Sequence, residues 1–494
     1  MAPIFLQYTI IVCLAAPFFI PFFKKYAKHI PFIQIIAILF LLLHFYNNRQ
    51  LLPIRFVFGG WQVFNGVEIL FSEESLVFIA ATYIVFLSVI IYSSKKNHNW
   101  KFYFLINLLL SDLTCLFLAN DLFNIYVTLE LMSLISYLLI SIDLKNRQIW
   151  SSLKYMILSA VSFNIYLVAT AMIYHQFGTL NISMLAQNNI HSPLPFLLLI
   201  TALLIKSGIF FYSMWLPSAH SDSESTISAI LSAVIVNAGV FHVLRINQAI
   251  NSPLISQYII YAGISSAMFG AYLSVKQKDI KLILAFSTMS QMGFILEGWN
   301  NYGVEFAFSH SIFKALLFLA AGYYQQLYGT RNIETAKRKV PPSLFIAIWT
   351  GYLSISGLPF FLGSFYKHEI IVYSKDLIPI GLIFATIGSV ISVGKFAFSV
   401  TPSKKIQGFF EKNLALFLLS IICIVFGTIN SLNHLDMEHL LEPEIFFGAG
   451  IFILFLLSRK IKIYYPYKLF KLSNVITIYT IIIGLILTMT FFEF

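Results

Sequence analysis

Apolar runs close to the roughly 20 residues that carry a helix across a bilayer recur from one end of this chain to the other. No polar stretch between them is long enough to fold as a separate soluble unit. With 59% hydrophobic and 11% charged residues in 494, the composition lies outside the soluble range. The chain is read as one all-α polytopic membrane domain.

Spans are expected at about 2–23, 31–46, 75–93, 101–119, 121–142, 153–175, 196–216 and 228–246, then 254–275, 280–299, 303–327, 342–373, 377–400, 412–432, 444–458 and 473–492. That gives about 14–16 transmembrane helices, sixteen if every run crosses. The run from Ala2 to Phe23 has no basic residue before it and Lys24, Lys25 and Lys28 after it. A signal peptide carries its charge on the other side, so this run is expected to stay as an anchor.

The net charge of +11 sits in short loops, a distribution that sets membrane orientation and does not point to nucleic acid. Basic residues fill alternate loops: Lys95 with Lys96 and Lys101, Lys145 with Arg147 and Lys154, Lys276 with Lys278 and Lys281, Arg331 with Lys337 to Lys339, and Lys404 with Lys405 and Lys412. Both termini are then expected on the non-cytoplasmic side. Arg459 to Lys471 reads as another positive-inside flank. Cys13, Cys115 and Cys423 all fall within apolar runs, so neither a disulfide framework nor a metal cluster is expected. Between the second and third spans, two β-prone runs flank Asn65-Gly66 and predict a small outer β-hairpin with a two-residue turn.

Four basic residues stand apart from the loops: Lys206, Lys314, Lys367 and Lys395. Lys395 is near the end of its span and can snorkel. Lys206 and Lys314 are central in theirs, as is Glu130 in 121–142, and His310 lies one helical turn before Lys314. A cation at that depth costs about 2.5–3.5 kcal/mol or more. Pro217, and Gly357 with Pro359 just before Lys367, mark two helix breaks. Ionisable groups at one depth beside broken helices form the pattern of an ion or proton path; a Glu130–Lys206 pair that only fixes packing is the structural alternative. The five spans of 101–246 and the five of 254–400 start at opposite faces, and each set breaks its fourth span. They are expected to be two inverted repeats, preceded by N-terminal helices and the hairpin in 1–100 and followed by C-terminal helices in 412–492.

Over roughly residues 55–400 the chain resembles the antiporter-like subunits of respiratory complex I and the Mrp-type sodium/proton antiporters, most of all the D-type member of the latter. The resemblance rests on Phe58-Gly59-Gly60-Trp61, the stretch from Asn120 to Glu130, Trp215 to His220, His310 to Gly322, and Ser356-Gly357-Leu358-Pro359. It implies a Glu130–Lys206 pair whose switching drives proton transfer, with His310 and Lys367 further along a hydrated line. It also implies other integral membrane subunits as partners, protons with Na+ or K+ as cargo, and a bacterial cytoplasmic membrane as location. Asn237 stands where the family has a central lysine, with His242 five residues on. Asp222 and Glu224 stand where relatives carry small residues and proline.

Three readings remain open: a proton-translocating antiporter subunit, a proton-pumping subunit of a complex I-like or hydrogenase-like redox assembly, and a scaffold that has lost conduction, which Asn237 favours. No cofactor is expected in this chain. It has no Gly-rich dinucleotide turn and no cysteine set for an iron–sulfur cluster, so any redox step would belong to partners.

Overall fold

The computed structural model describes residues 2–458 except 64–65, 97, 189–191, 213, 300–301, 334–337, 404–408 and 435–436. The expected span at 473–492 and the basic run after residue 458 lie outside the described residues. The helices are α1 (Ala2–Phe19), α2 (His29–Asn47), α3 (Glu73–Ser93), α4 (Trp100–Leu118), α5 (Leu122–Ile140), α6 (Asn146–Phe177) and α7 (Ile182–Leu185). Then follow α8 (Leu194–Lys206), α9 (Leu216–Asp222), α10 (Ser225–Ile230), α11 (Val236–Ile250), α12 (Pro253–Lys276), α13 (Ile280–Glu297) and α14 (Gly303–Tyr328). The last are α15 (Pro342–Ser356), α16 (Ser364–Tyr373), α17 (Ile378–Phe398), α18 (Phe410–Asn433) and α19 (Met437–Ser458). A π-turn, Leu231–Ile235, joins α10 to α11 as one membrane-length rod.

Among the described residues 11 helices are long and apolar enough to cross a bilayer. Their starts are specified locally. Asp121 accepts from the amides of Phe123 and Asn124 at 2.9 and 3.0 Å, and Asp279 from those of Lys281 and Leu282 at 2.8 and 3.3 Å. Each carboxylate satisfies donors that the first turn leaves open. The rod of α10 and α11 is wholly buried in its apolar stretch, and α13 and α14 are nearly so. Helices α5, α6 and α18 expose large apolar side chains such as Val127, Val168 and Phe417, as a perimeter meeting lipid does.

Two expected spans are split, and the splits refine the sequence reading. Lys206 is the last residue of α8, not the middle of a helix, and the interruption runs from Ser207 to Trp215. Gly208 takes φ 71° there, a conformation that suits glycine. Pro217 sits in the first turn of α9, where its missing amide costs nothing, so it starts the second half instead of ending the first. The span expected at 342–373 ends as α15 at Ser356 and resumes as α16 at Ser364; Gly357 caps α15 at φ 80°.

The hairpin exists but its turn differs. Strands β1 (Ile54–Val57) and β2 (Glu68–Phe71) pair antiparallel with Val57 opposite Glu68. The link between them therefore spans 58–67, opening with a 3-10 turn at Phe58–Gly60 in which Gly59 and Gly60 both have positive φ. With residues 58–67 between the paired ends, the strands are not joined by a two-residue loop, and Asn65 of the expected turn lies outside the described residues. A second pair, β3 (Arg338–Val340) parallel to β4 (Val400–Pro402), was not foreseen and ties the α14–α15 link to the α17–α18 link.

The connections rich in basic residues gather at one end. Lys95, Lys96, Lys145, Arg147, Lys281, Arg331 and Lys412 line one cleft there, of about 1410 Å3. At the hairpin end, Glu68 accepts from Asn120 at 2.6 Å and Asn181 at 2.7 Å, and Arg245 donates to Ala119 and Ser75 at 2.9 and 2.8 Å. The Glu68 bonds lock the hairpin to the starts of α5 and α7, and Arg245 ties α11 to the end of α4 and the start of α3.

Candidate functional site

Each helix break has a buried lysine beside it, Lys206 before the first and Lys367 after the second. Lys206, 2% exposed, closes α8 and donates to Ser133 at 2.5 Å on α5 and to Ser159 at 2.8 Å on α6. Its Nζ lies 4.8 and 4.6 Å from the ring centroids of Tyr155 and Phe163, positions where the aromatic face attracts a cation. Lys367 stands beyond its break, in α16, and reaches back to the carbonyl of Ile355 in the last turn of α15 at 2.9 Å. Its Nζ lies 4.8 Å from the Phe294 ring. At this second break the negative end of the α15 dipole faces the ammonium.

Lys314 is fully buried in α14 and donates to Ser287 at 2.6 Å and to the Leu284 carbonyl at 3.1 Å, both on α13. Thr288 donates to the same carbonyl at 2.9 Å and meets Ser232, in the π-turn, at 2.7 Å. Lys314 is thereby linked through hydroxyls to the irregular turn. It also lies within electrostatic reach of Lys367. His310 is buried one turn before it, with neither ring nitrogen hydrogen-bonded.

Asn237 fills its place between α11 and α14 with hydrogen bonds. Its Nδ2 donates to Ser311 at 2.8 Å, Ala233 at 2.9 Å and Ala307 at 3.3 Å, while Oδ1 is buried without a partner. Ser311 donates to the same Ala233 carbonyl at 2.7 Å. Two residues on, Gly239 lets α11 touch the Lys206 break: a Cβ there would meet Ser207 Oγ at 2.5 Å and Leu203 O at 2.9 Å. The α11 rod thus bridges the surroundings of Lys206 and Lys314. His242 is fully buried on α11, within reach of Arg245 and the Leu116 backbone, and makes no hydrogen bond to this group.

Two expectations are corrected. Glu130 does not pair with Lys206. Its side chain is exposed on α5 beside Tyr126, and Ser133, three residues on and facing inward, takes the ammonium in its place. Ser133 and Glu130 are neighbours along the helix surface, but only the serine is buried against α8 while the carboxylate is exposed. Lys281, assigned to a loop from the sequence, is only 2% exposed and donates to the Ser223 carbonyl at 2.7 Å. A signal for it existed: a cation in a first helical turn opposes the helix dipole and needs another reason to be there. Lys395 donates to the carbonyls of Val275 and Gln277 at the end of α12.

His220 also escaped the sequence reading. It is fully buried, stacks on Phe318 at 5.1 Å, and lies within reach of both Lys281 and Lys314. Above Lys281 opens the charged cleft. Glu224 binds Lys96 at 2.8 Å and faces His98 at 3.7 Å, Arg331 binds Asp279 at 3.0 Å, and Ser151 donates to Asp222. Burial pushes the Asp143 carboxyl up, but hydrogen bonds from Gln148 and Lys145 outweigh it and hold the group below the ordinary range. Burial keeps His98 below the usual histidine value against the pull of Glu224.

Among the described residues no group of three or more His, Cys, Asp and Glu is placed to hold a metal ion, and the three cysteines are unpaired.

A polytopic bundle with two interrupted helices, each presenting a buried lysine, defines a membrane subunit of the antiporter type. The family model described as "NADH:quinone oxidoreductase/Mrp antiporter, TM" matches residues 119–392, and the chain belongs to that family. It is 28% identical over 341 residues to the D-type Na(+)/H(+) antiporter subunit of Alkalihalophilus pseudofirmus, covering 64% of this chain and 68% of the relative. Its fold is shared with a chain of the archaeal membrane-bound sulfane sulfur reductase, a respiratory membrane complex, at a TM-score of 0.77 and 21% identity over 89% of this chain and 99% of the other. A chain of the Mrp complex from a Dietzia species matches with a TM-score of 0.76 and 17% identity over 96% and 98%.

Proposed function

We propose that the chain is the proton-translocating subunit of a multisubunit monovalent cation/proton antiporter. One observation supports this above the rest: Lys206, Lys314 and Lys367 are buried, bonded to hydroxyls and carbonyls, and joined by packed helices that carry His310 and Asn237. A buried cation without a carboxylate is an expensive way to hold helices together. The same groups suit a carrier that gains and loses a proton.

On this reading protons enter from the basic cleft by Lys281 and His220, reach Lys314 and His310, and move to Lys367. Lys206 answers through the α11 rod. Glu130 is a surface carboxylate and not the fixed partner of Lys206. The cleft faces the cytoplasm of a bacterial cell and the termini face away from it, following the positive-inside bias. Partners are further integral membrane subunits, and the exchanged ion is Na+ or K+.

A non-conducting scaffold is the second reading, favoured by Asn237, whose amide does not exchange protons at neutral pH. The deciding experiment uses the assembled complex in inside-out vesicles. Lys206→Ala and Lys314→Ala, each with assembly intact, are expected to abolish cation-dependent proton movement. Wild-type rates in both would leave the scaffold. Identifying the copurifying subunits separates an antiporter from a redox-driven complex.

A further inference from the structure

Lys367 is the first of three consecutive buried titratable residues, with His368 4% and Glu369 5% exposed. All three stand in α16, a helix of 10 residues. On the imidazole of His368, Nδ1 lies 3.8 Å from Glu369 Oε1 and Nε2 lies 3.1 Å from Glu442 Oε2. Glu442 belongs to α19, beyond residues 119–392 that the family model matches. Its side chain is 50% exposed while that of His368 is 3% exposed. The imidazole therefore stands between a buried carboxylate and one that reaches the outside.

A narrow crevice of about 10 Å3, the room of roughly one water, runs beside Lys367 and His368. Ser356, Ser364 and Thr386 add hydroxyls to its wall, and Pro443 of α19 closes it. Glu442 is the sixth residue of α19, about 8 Å along the axis from its start. That helix starts at the end opposite the basic cleft, as does the loop after α16. Tyr302 lies within reach of Glu369, and His434 stacks on Phe365 at 4.0 Å; with Lys367 and Glu442 these are titratable groups around the pair among the described residues.

We propose that His368 and Glu442 form the port by which protons pass between Lys367 and the medium at the hairpin end. This rests on Lys367 being a proton carrier. In the outward direction the Lys367 ammonium gives up one proton across the crevice and becomes an amine. His368 takes a proton on Nδ1 and releases one from Nε2 to the Glu442 carboxylate. The resulting carboxylic acid loses it to water, and exchange of the imidazole tautomer resets the relay. A histidine whose two nitrogens face different partners is suited to this, and a half-exposed carboxylate suits the last step.

The test measures cation-dependent proton movement by the assembled complex in vesicles. Glu442→Gln and His368→Gln are each expected to lower the rate by about tenfold or more, with Glu442→Asp restoring most of it and subunit assembly unchanged. Rescue by Asp distinguishes proton transfer from packing, which the amide already preserves. Lys367→Ala, run alongside, is expected to abolish transport. Wild-type rates in Glu442→Gln and His368→Gln with Lys367→Ala inactive would overturn the port and leave the carrier standing. A wild-type rate in Lys367→Ala would overturn the carrier and the port with it.

Discussion

Lys206 Nζ lies 2.5 Å from Ser133 Oγ, on the helix whose Glu130, one turn away, turns its side chain out of the bundle. The ammonium is thus held by hydroxyl dipoles and aromatic faces, with a carboxylate near on the helix but aimed elsewhere. A lysine held this way can change its protonation state without leaving a buried carboxylate behind.

Removing those hydroxyls tests that arrangement. Ser133→Ala and Ser159→Ala each leave a buried donor short of an acceptor, which costs about 1–3 kcal/mol. The melting temperature of the detergent-solubilised complex is expected to fall in each variant and further in the double variant. In Lys206→Met the same serine changes are expected to be nearly silent, because the donor is gone. An equal loss with and without the lysine would show that the serines act elsewhere.

Asn237 offers a second test. Asn237→Leu removes three donated bonds at once and is expected to lower stability by about 1–3 kcal/mol, read as a melting shift. Asn237→Lys restores a titratable group and is expected to raise the proton transport rate. An unchanged rate would argue that the amide is no constraint on conduction.

The cleft predicts a pH response through His98. Its ring stacks on Phe102 at 3.9 Å, and burial keeps it below the ordinary histidine value. The unfolded chain therefore binds the proton first as pH falls. Stability is full above about pH 6.5, the unfolded value, and declines below it until the folded group titrates too. Melting followed from pH 7.5 to 5.5 is expected to show this decline, and His98→Gln to flatten it. A steeper decline in the variant would reverse the sign assigned here.

Much of this was written plainly in the chain. Apolar runs gave the helices their places, and Gly208, Gly357 and Gly363 sit where the backbone departs from helix. Lys206, Lys314 and Lys367 stood out because lysine is rare at that depth. What stayed hidden depended on direction and distance. Nothing in residue type says which face of α5 Glu130 occupies. The π-turn before Asn237 has no local sequence signal, since its residues are ordinary helix formers in a buried rod. Lys281 looked like a loop residue because a boundary shift of a few positions separates a flank from a first turn. His368 and Glu442 are 74 residues apart and meet only because α19 folds back over α16.

Among the described residues, none of Lys206, Lys314 and Lys367 is paired with a carboxylate, and Lys314 lies within electrostatic reach of Lys367. Like charges in a medium of low polarisability raise one another's energy steeply. The interior consequently cannot be saturated: each arrival makes the neighbouring berth less hospitable. If protons move along this row as proposed, they do so by displacement, with repulsion between occupants setting the rhythm as much as the affinity of any single place.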